Sequence, residues 1–522
     1  PRSMPPTVQP MEFLHLSPLQ LLLAAAVVTV AALLPSAARL TRNRKPRRRY
    51  HPVVGTVVHQ FFCFRRLYDY LTQLSRRHKT FRILVAPFQS DVYTNDPAVV
   101  EHILRTNFHN YGKGTYNYEM LSDLLGDGIF AVDGSKWRHQ RKLASYDFTT
   151  RALRETSGAV FKKNGARLAQ AISDAASSQQ VIEIQDWFVK STMDSVFEIA
   201  LGIELNCLLG SSEESSNFVR ALEECNVLIN MRYVNPFWKL MRFFNIGPEA
   251  TIRNDVRVVD AYLYKLIHSK ISQMINRRDD DSYVEKGDIM SRFLLESERD
   301  PKTMNHQYLR DIALSFVFAG KDTTAGTLAW FFYMLCKHPS VQDKVAQEVK
   351  EAVSAGENAS FQEFTANITE DSLVKMQYLH AALTETLRLY PAVPMDPKVC
   401  FSDDTLPDGF NIRAGEVIYY QPYAMGRMKY IWGEDAEVFQ PERWLDANGK
   451  FCPESPFKFT AFQAGPRICL GKEFAYRQMK IFVAVLLHFF IFKLRNEMED
   501  INYKVTITLF IDQGLHLHVF QR

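Results

Sequence analysis

Residues 462–471 read Phe462-Gln463-Ala464-Gly465-Pro466-Arg467-Ile468-Cys469-Leu470-Gly471, and a strongly amphipathic stretch continues from them through His488. A cysteine in a glycine-rich loop that opens a helix meets free backbone N–H groups and the positive end of the helix dipole, and both favour thiolate over thiol. The loop therefore predicts an anionic sulfur at Cys469. The other six cysteines (Cys63, Cys207, Cys225, Cys336, Cys400 and Cys452) are widely spaced and contain no CxxC pair, which excludes a disulfide framework and a zinc site.

As a metal ligand, a single thiolate suits haem iron, where it donates electron density that favours O–O cleavage. Arg467, two residues earlier, is placed to pair with a haem propionate. Upstream, the longest helical pattern runs from Asn305 to Lys337, near 50 Å at about 1.5 Å per residue, enough to cross a whole domain. In its middle stands Ala319-Gly320-Lys321-Asp322-Thr323-Thr324. Glycine, an acid and two β-branched hydroxyl residues disfavour a regular helix, so a local opening is predicted there. Glu385 and Arg388, at i and i+3, share a helical face, and Arg443 can add a second guanidinium to the same carboxylate. Trp137 and Arg141, at i and i+4, also share a face.

These segments, in this order, resemble the cytochrome P-450 superfamily of haem-thiolate monooxygenases. Phe462, Gly465, Arg467, Cys469 and Gly471 match its haem-binding loop, and Ala319 to Thr323 looks like its oxygen-activation segment. Glu385-Thr-Leu-Arg388 and Pro441-Glu-Arg443-Trp444 resemble its Glu-x-x-Arg helix and the arginine that joins it. Trp137-Arg-His-Gln-Arg141 resembles the helix whose Trp and Arg hold a propionate. The resemblance covers about residue 50 to the end. It implies haem b ligated axially by Cys469, held by Trp137, Arg141 and Arg467, with Asp322 and Thr323 catalytic as proton relay and water-holding hydroxyl. It also implies a buried structural triad of Glu385, Arg388 and Arg443. The presence of Thr323 favours oxygen insertion from O2 over peroxide rearrangement. The wording of the segments beginning at Gly126, Phe318, Val393 and Phe462 is similar to plant long-chain fatty-acid omega-hydroxylases.

The fold class expected is mainly α with small peripheral β-sheets, a cytochrome P-450 fold in one large domain with an N-terminal transmembrane anchor. The 522 residues carry 47% apolar and 23% charged side chains, with 37 Phe and 22 Tyr, ample for a large core. Seven of the basic residues fall between Arg39 and Arg49; without them the formal +4 becomes −3, which excludes a general nucleic-acid surface. An apolar run precedes that cluster, so the division expected is 1–12 leader, 13–35 signal anchor, 36–55 basic and proline-rich hinge, and 56–522 monooxygenase domain. This topology places the body on the cytosolic face of the endoplasmic reticulum membrane and makes the sequons Asn358-Ala-Ser360 and Asn367-Ile-Thr369 chance matches. Helices are predicted over 64–78, 96–107, 134–147 and 151–176, with short strands at 81–86, 91–94, 410–420 and in the last twenty residues.

No GxGxxG follows a strand, so NADPH is expected to act only indirectly, through a membrane-bound flavoprotein reductase docking near Lys472, Arg477 and Lys480. The segments 112–130, 312–320, 393–400 and 508–515 are expected to line an apolar substrate pocket, with Lys398 a candidate for holding a fatty carboxylate. Alternatives are a hydroxylase of another lipophile (terpenoid, sterol or alkane) and a haem sensor or electron carrier, which needs neither open pocket nor Thr323.

Overall fold

The computed structural model describes residues 48–522 apart from 87–88, 150, 211, 234, 236, 277–287, 357 and 499–500. The expected leader and anchor, 1–12 and 13–35, lie outside the described residues. Among the described residues no helix is long and apolar enough to cross a membrane.

Helices dominate, and the most deeply placed are apolar all round, as interior helices must be. Asp322–Lys337 buries Ala325, Leu328, Phe331, Phe332 and Leu335 completely, and Lys472–Phe489 buries Phe482 to Leu487. Gln377–Leu389 and Ile184–Leu201 complete this centre. The expected segments form Leu67–Arg77 behind a short turn Phe64–Arg66, then Gly134–Thr149 and Arg151–Ser177. Asp96 caps Pro97–Glu101 by accepting from the Ala98 N–H at 3.0 Å, and a π-turn His102–Thr106 follows. The predicted opening of the long helix is present. It divides into His306–Gly320 and Asp322–Lys337 at Lys321.

The sheets are small and peripheral. A six-stranded sheet runs Val53–Thr56, Thr80–Ala86, Gln89–Thr94, Val417–Tyr420, Asp396–Cys400 and Tyr111–Gly112, joining the chain's first strands to segments more than 300 residues later. Phe490–Leu494, His516–Gln521 and Ile182–Glu183 form a second sheet, and Tyr503–Val505 with Leu509–Ile511 a hairpin. The hinge expected to run to residue 55 is shorter. Val53–Thr56 already pairs with Thr80–Ala86, His51 bonds Asp408 at 2.7 Å, and the Asn411 N–H donates to the Arg49 carbonyl at 2.7 Å. The two sequon hydroxyls have a local purpose: Ser360 and Thr369 cap Phe361–Asn367 and Glu370–Lys375.

Candidate active site

Pro466 sits in a single 3-10 turn, Gly465–Arg467, and the Cys469 N–H donates back to the Phe462 carbonyl at 2.8 Å. Gly465 is left-handed (φ +66), and a Cβ there would stand 1.9 Å from the Leu104 carbonyl oxygen, so glycine alone fits this contact. Cys469 lines a cavity of about 380 Å³, and its accessible surface opens into that interior space. Burial pushes the thiol up from its ordinary range, against the Gly471 N–H and the charges of Arg141 and Lys472. The helix-entrance argument thus names real contributions, but burial outweighs them. A coordinated metal cation is what deprotonates such a thiol outright.

Trp137, Arg141 and Arg467 line the same cavity, brought together from helix Gly134–Thr149 and the cysteine loop. The Arg467 guanidinium lies 4.4 Å over the Trp137 ring, donates to the Val132 carbonyl at 3.1 Å and pairs with Asp133. Its buried Nε has no partner among the described residues. An orphaned, buried, charged donor facing a cavity that also holds a cysteine sulfur fits a flat anionic cofactor, with sulfur toward a metal and arginines toward carboxylates. A haem therefore suits the residues present.

Sequence reasoning missed Lys113 and Asp396, which also line this cavity. Asp396 is buried and accepts from Lys113 at 3.0 Å, Lys398 at 2.6 Å and the Tyr420 hydroxyl at 2.8 Å. Burial alone would raise its carboxyl, but the two ammonium groups hold it below the usual carboxylate range. Lys398, considered for a substrate carboxylate, is spent on Asp396, and burial pushes it down to about 7.

On the central helix Thr323 lines the cavity, and its hydroxyl donates to the Ala319 carbonyl at 2.6 Å, across the break. Asp322, expected beside it as a proton relay, is placed elsewhere. Its carboxylate accepts from Asn226 at 3.0 Å and pairs with Lys321 at 2.6 Å, and it does not line the cavity. Consecutive helical residues point about 100° apart, so Thr323 toward the cavity turns Asp322 toward helix Glu213–Met231.

In the Glu385 cluster Glu385 and Arg388 are fully buried and Arg443 is partly exposed. Arg388 donates to both carboxylate oxygens, each at 2.7 Å, and to the Val438 carbonyl at 3.1 Å. Arg443 joins only at 3.5 Å, and Trp444, unforeseen, donates to the same carboxylate at 2.9 Å. Of the expected docking cations, Lys480 is buried and donates to the Leu373 carbonyl at 2.7 Å, while Arg477 pairs with Glu370 at 2.6 Å. Lys472 is half-buried at the helix start.

The lining agrees with three expected segments, through Leu121, Leu125 and Phe130, Ile312 to Gly320 in part, and Val393 to Pro397 in part. The fourth is shifted. Thr506, Ile507 and Thr508, the tip of the late hairpin, reach the cavity, and only Thr508 lies in the expected 508–515. Gln60, Tyr68, Tyr93, Asn230 and Tyr233 were not anticipated.

A family model described as Cytochrome P450 matches residues 46–517. Cytochrome P450 704C1 of Pinus taeda is 46% identical over 511 residues, covering 95% of this chain and 98% of that protein. Cytochrome P450 704B1 of Arabidopsis thaliana is 39% identical over 496 residues, covering 90% and 94%. Cytochrome P450 94A1 of Vicia sativa is 37% identical over 402 residues, covering 75% and 74%.

Proposed function

The chain belongs to the cytochrome P450 family, and from that premise we propose that it is a membrane-anchored monooxygenase that hydroxylates long-chain fatty acids at or near the omega carbon. The family implies haem with a cysteine thiolate ligand, and when bound the haem supplies the activation of O2. Cys469 is its ligand, and Trp137, Arg141 and Arg467 hold its carboxylates. Thr323 keeps a water and a proton beside the helix break, with Asp322, Lys321 and Asn226 holding that break in shape. Electrons come from NADPH through a membrane-bound flavoprotein reductase.

The observation that carries the substrate reading is the cavity. Away from the cysteine loop its walls are apolar and aromatic, with Leu121, Leu125, Phe130, Ile312 and Phe318 contributing. A long chain excluded from water fits such walls. The similarity of the motif wording to plant fatty-acid omega-hydroxylases adds to it, with cutin, suberin or pollen-wall monomers as the destination. The membrane reading draws on the apolar run 13–35 with the basic cluster behind it, and on Phe237, Leu240, Phe243 and Phe244, all exposed on one short segment. In this reading the leader 1–12 and anchor 13–35 hold the chain in the endoplasmic reticulum membrane, with the hinge from residue 36 and the body 56–522 in the cytosol.

One observation favours a second reading. Among the described lining residues the lysines and arginines are Lys113, paired with Asp396, and Arg141 and Arg467, which this reading gives to the haem, so an uncharged lipophile such as a terpenoid, sterol or alkane also suits the remaining wall. The test is a reduced carbon monoxide difference spectrum, followed by titration of the ferric protein with C16 and C18 acids, terpenoids and sterols. A thiolate-type band with a high-spin shift for the acids is expected, and a shift confined to the uncharged lipids transfers the assignment to them. Thr323→Ala should lower hydroxylation and raise peroxide release; ligand binding with no oxidation in either protein marks a sensor or electron carrier.

A further inference from the structure

The cysteine loop leans on a part of the chain far from it in sequence. Ala464 belongs to a small apolar cluster, separate from the main core, with Ile103, Leu104, Tyr111, Cys400 and Leu406. Its neighbour Gly465 is seated on the Leu104 carbonyl. Leu104 stands inside the π-turn His102–Thr106, which the Asn107 N–H closes by donating to the His102 carbonyl at 2.8 Å. Such turns are rare and concentrate at functional sites, so whatever holds this one in shape bears on where the loop sits.

One carboxylate holds it. Asp404, in the two-residue strand Asp404–Thr405 that pairs with Asn411–Ile412, turns Oδ2 toward three donors. His102 Nε2 lies at 2.8 Å, Asn107 Nδ2 at 2.9 Å and the Tyr111 hydroxyl at 2.7 Å. Oδ1 accepts from the Thr405 N–H at 2.8 Å. An ionised carboxylate only accepts, so His102 carries a proton on Nε2. Burial alone would raise this carboxyl, but the side-chain donors hold it below its ordinary range, and it stays charged.

His102 opens the π-turn and Asn107 closes it, so Asp404 clamps both ends at once. Tyr111 begins the strand Tyr111–Gly112, after which the Lys113 and Gly114 N–H groups donate to Asp133 at 3.0 and 2.7 Å. Asp133 is the carboxylate that pairs with Arg467. Segment 102–114 therefore meets the cysteine loop twice, at Gly465 through Leu104 and at Arg467 through Asp133. Charge-assisted hydrogen bonds are directional and about twice as strong as neutral ones, which suits fixing a backbone in place rather than filling space.

We propose that Asp404 is a positioning residue for the thiolate centre: by clamping the π-turn and the start of Tyr111–Gly112 it sets the Leu104 carbonyl and Asp133, and so fixes where the cysteine loop presents its sulfur. Asp404 does so from outside the cavity, since it is not among the described lining residues. The proposal rests on Cys469 being the haem ligand.

The test reduces haem-loaded, full-length protein under carbon monoxide, holds it at a fixed temperature below the thermal midpoint, and follows the rate at which the thiolate-type band gives way to the thiol-type band. Asp404→Asn removes the charge, and His102→Leu removes one donor at the surface; each should speed the conversion about tenfold, the worth of one hydrogen bond to a charged group. His102→Gln, whose amide can donate in the place of Nε2, should return the rate to within about twofold of the parent. Ser360→Ala, which removes a helix cap away from the loop, should lower the thermal midpoint yet leave the rate within about twofold of the parent. Conversion at the parent rate in Asp404→Asn and His102→Leu overturns the proposal. So does a His102→Gln protein as fast as His102→Leu, or a Ser360→Ala protein as fast as Asp404→Asn, which would reduce the effect to general stability. A parent protein without the thiolate-type band would remove the Cys469 assignment itself, and this proposal with it.

Discussion

Two clusters of buried charge in this molecule follow different rules. Around Glu385 every capacity is filled: both carboxylate oxygens accept from Arg388, one also from the Gln440 N–H at 2.9 Å and the other from Trp444, and the remaining Arg388 donors reach the carbonyls of Gly426, Ala436 and Val438. Around the cavity the chemistry is similar but left open. Among the described residues Arg467 keeps an unpaired Nε, and Asp396 gathers two lysines beside the space that holds Cys469. A cluster that only supports the fold closes on itself, whereas one that receives a ligand retains donors that nothing in the protein satisfies.

The largest effect should come from breaking the closed cluster. Glu385→Gln leaves Arg388 as an uncompensated buried charge and should cost about 3–5 kcal/mol. It would be seen as a fall in the thermal midpoint and loss of the reduced carbon monoxide band; a stable, haem-loaded variant would show that the cluster is not the support described. Arg467→Gln should leave the melting temperature within a few degrees yet release haem to an acceptor protein about tenfold faster, one charge-assisted hydrogen bond being worth roughly 1.5–3 kcal/mol. Equal haem release would remove Arg467 from the open cluster.

Lys398 sharpens the contrast through pH. Its native value lies near 7 rather than 10.5, so between these limits the unfolded chain binds more protons than the native one. Stability should therefore rise with pH above 7, by at most about 1.4 kcal/mol per unit. Melting curves from pH 6 to 9 should show this slope and its flattening in Lys398→Met, and identical slopes would refute it. Smallest of all, Arg443→Lys should cost under about 1 kcal/mol, since the parent contact to Glu385 is already 3.5 Å long.

Contacts local in sequence were legible. The i, i+3 spacing of Glu385 and Arg388, the i, i+4 spacing of Trp137 and Arg141, and the helix-breaking run at Lys321 each express a geometry that a few residues set by themselves. Contacts that depend on distant segments were not. Lys113 and Asp396 meet because Tyr111–Gly112 and Asp396–Cys400 are adjacent strands, a pairing across 283 positions that no local pattern announces. Lys480 was misread, and the direction of the Asp322 side chain was not legible, for a related reason. Adjacent helical residues face different ways, and which face meets the cavity or the core is decided by packing partners far along the chain. The hairpin 503–511 was visible as strands, but that its tip reaches the cavity was not.

The bond from Arg467 to Val132, and the seat of Gly465 on Leu104, tie the cysteine loop to the first third of the polypeptide, 335 positions apart in the former case. During synthesis the earlier partner leaves the ribosome long before the later one exists. At roughly 5–20 residues per second, Val132 waits on the order of 17–67 s for Arg467. Throughout that interval Leu121, Leu125 and Phe130 have no finished wall opposite them. Cofactor capture is therefore a late event in the life of a nascent chain, and the exposed apolar half is a natural client for chaperones.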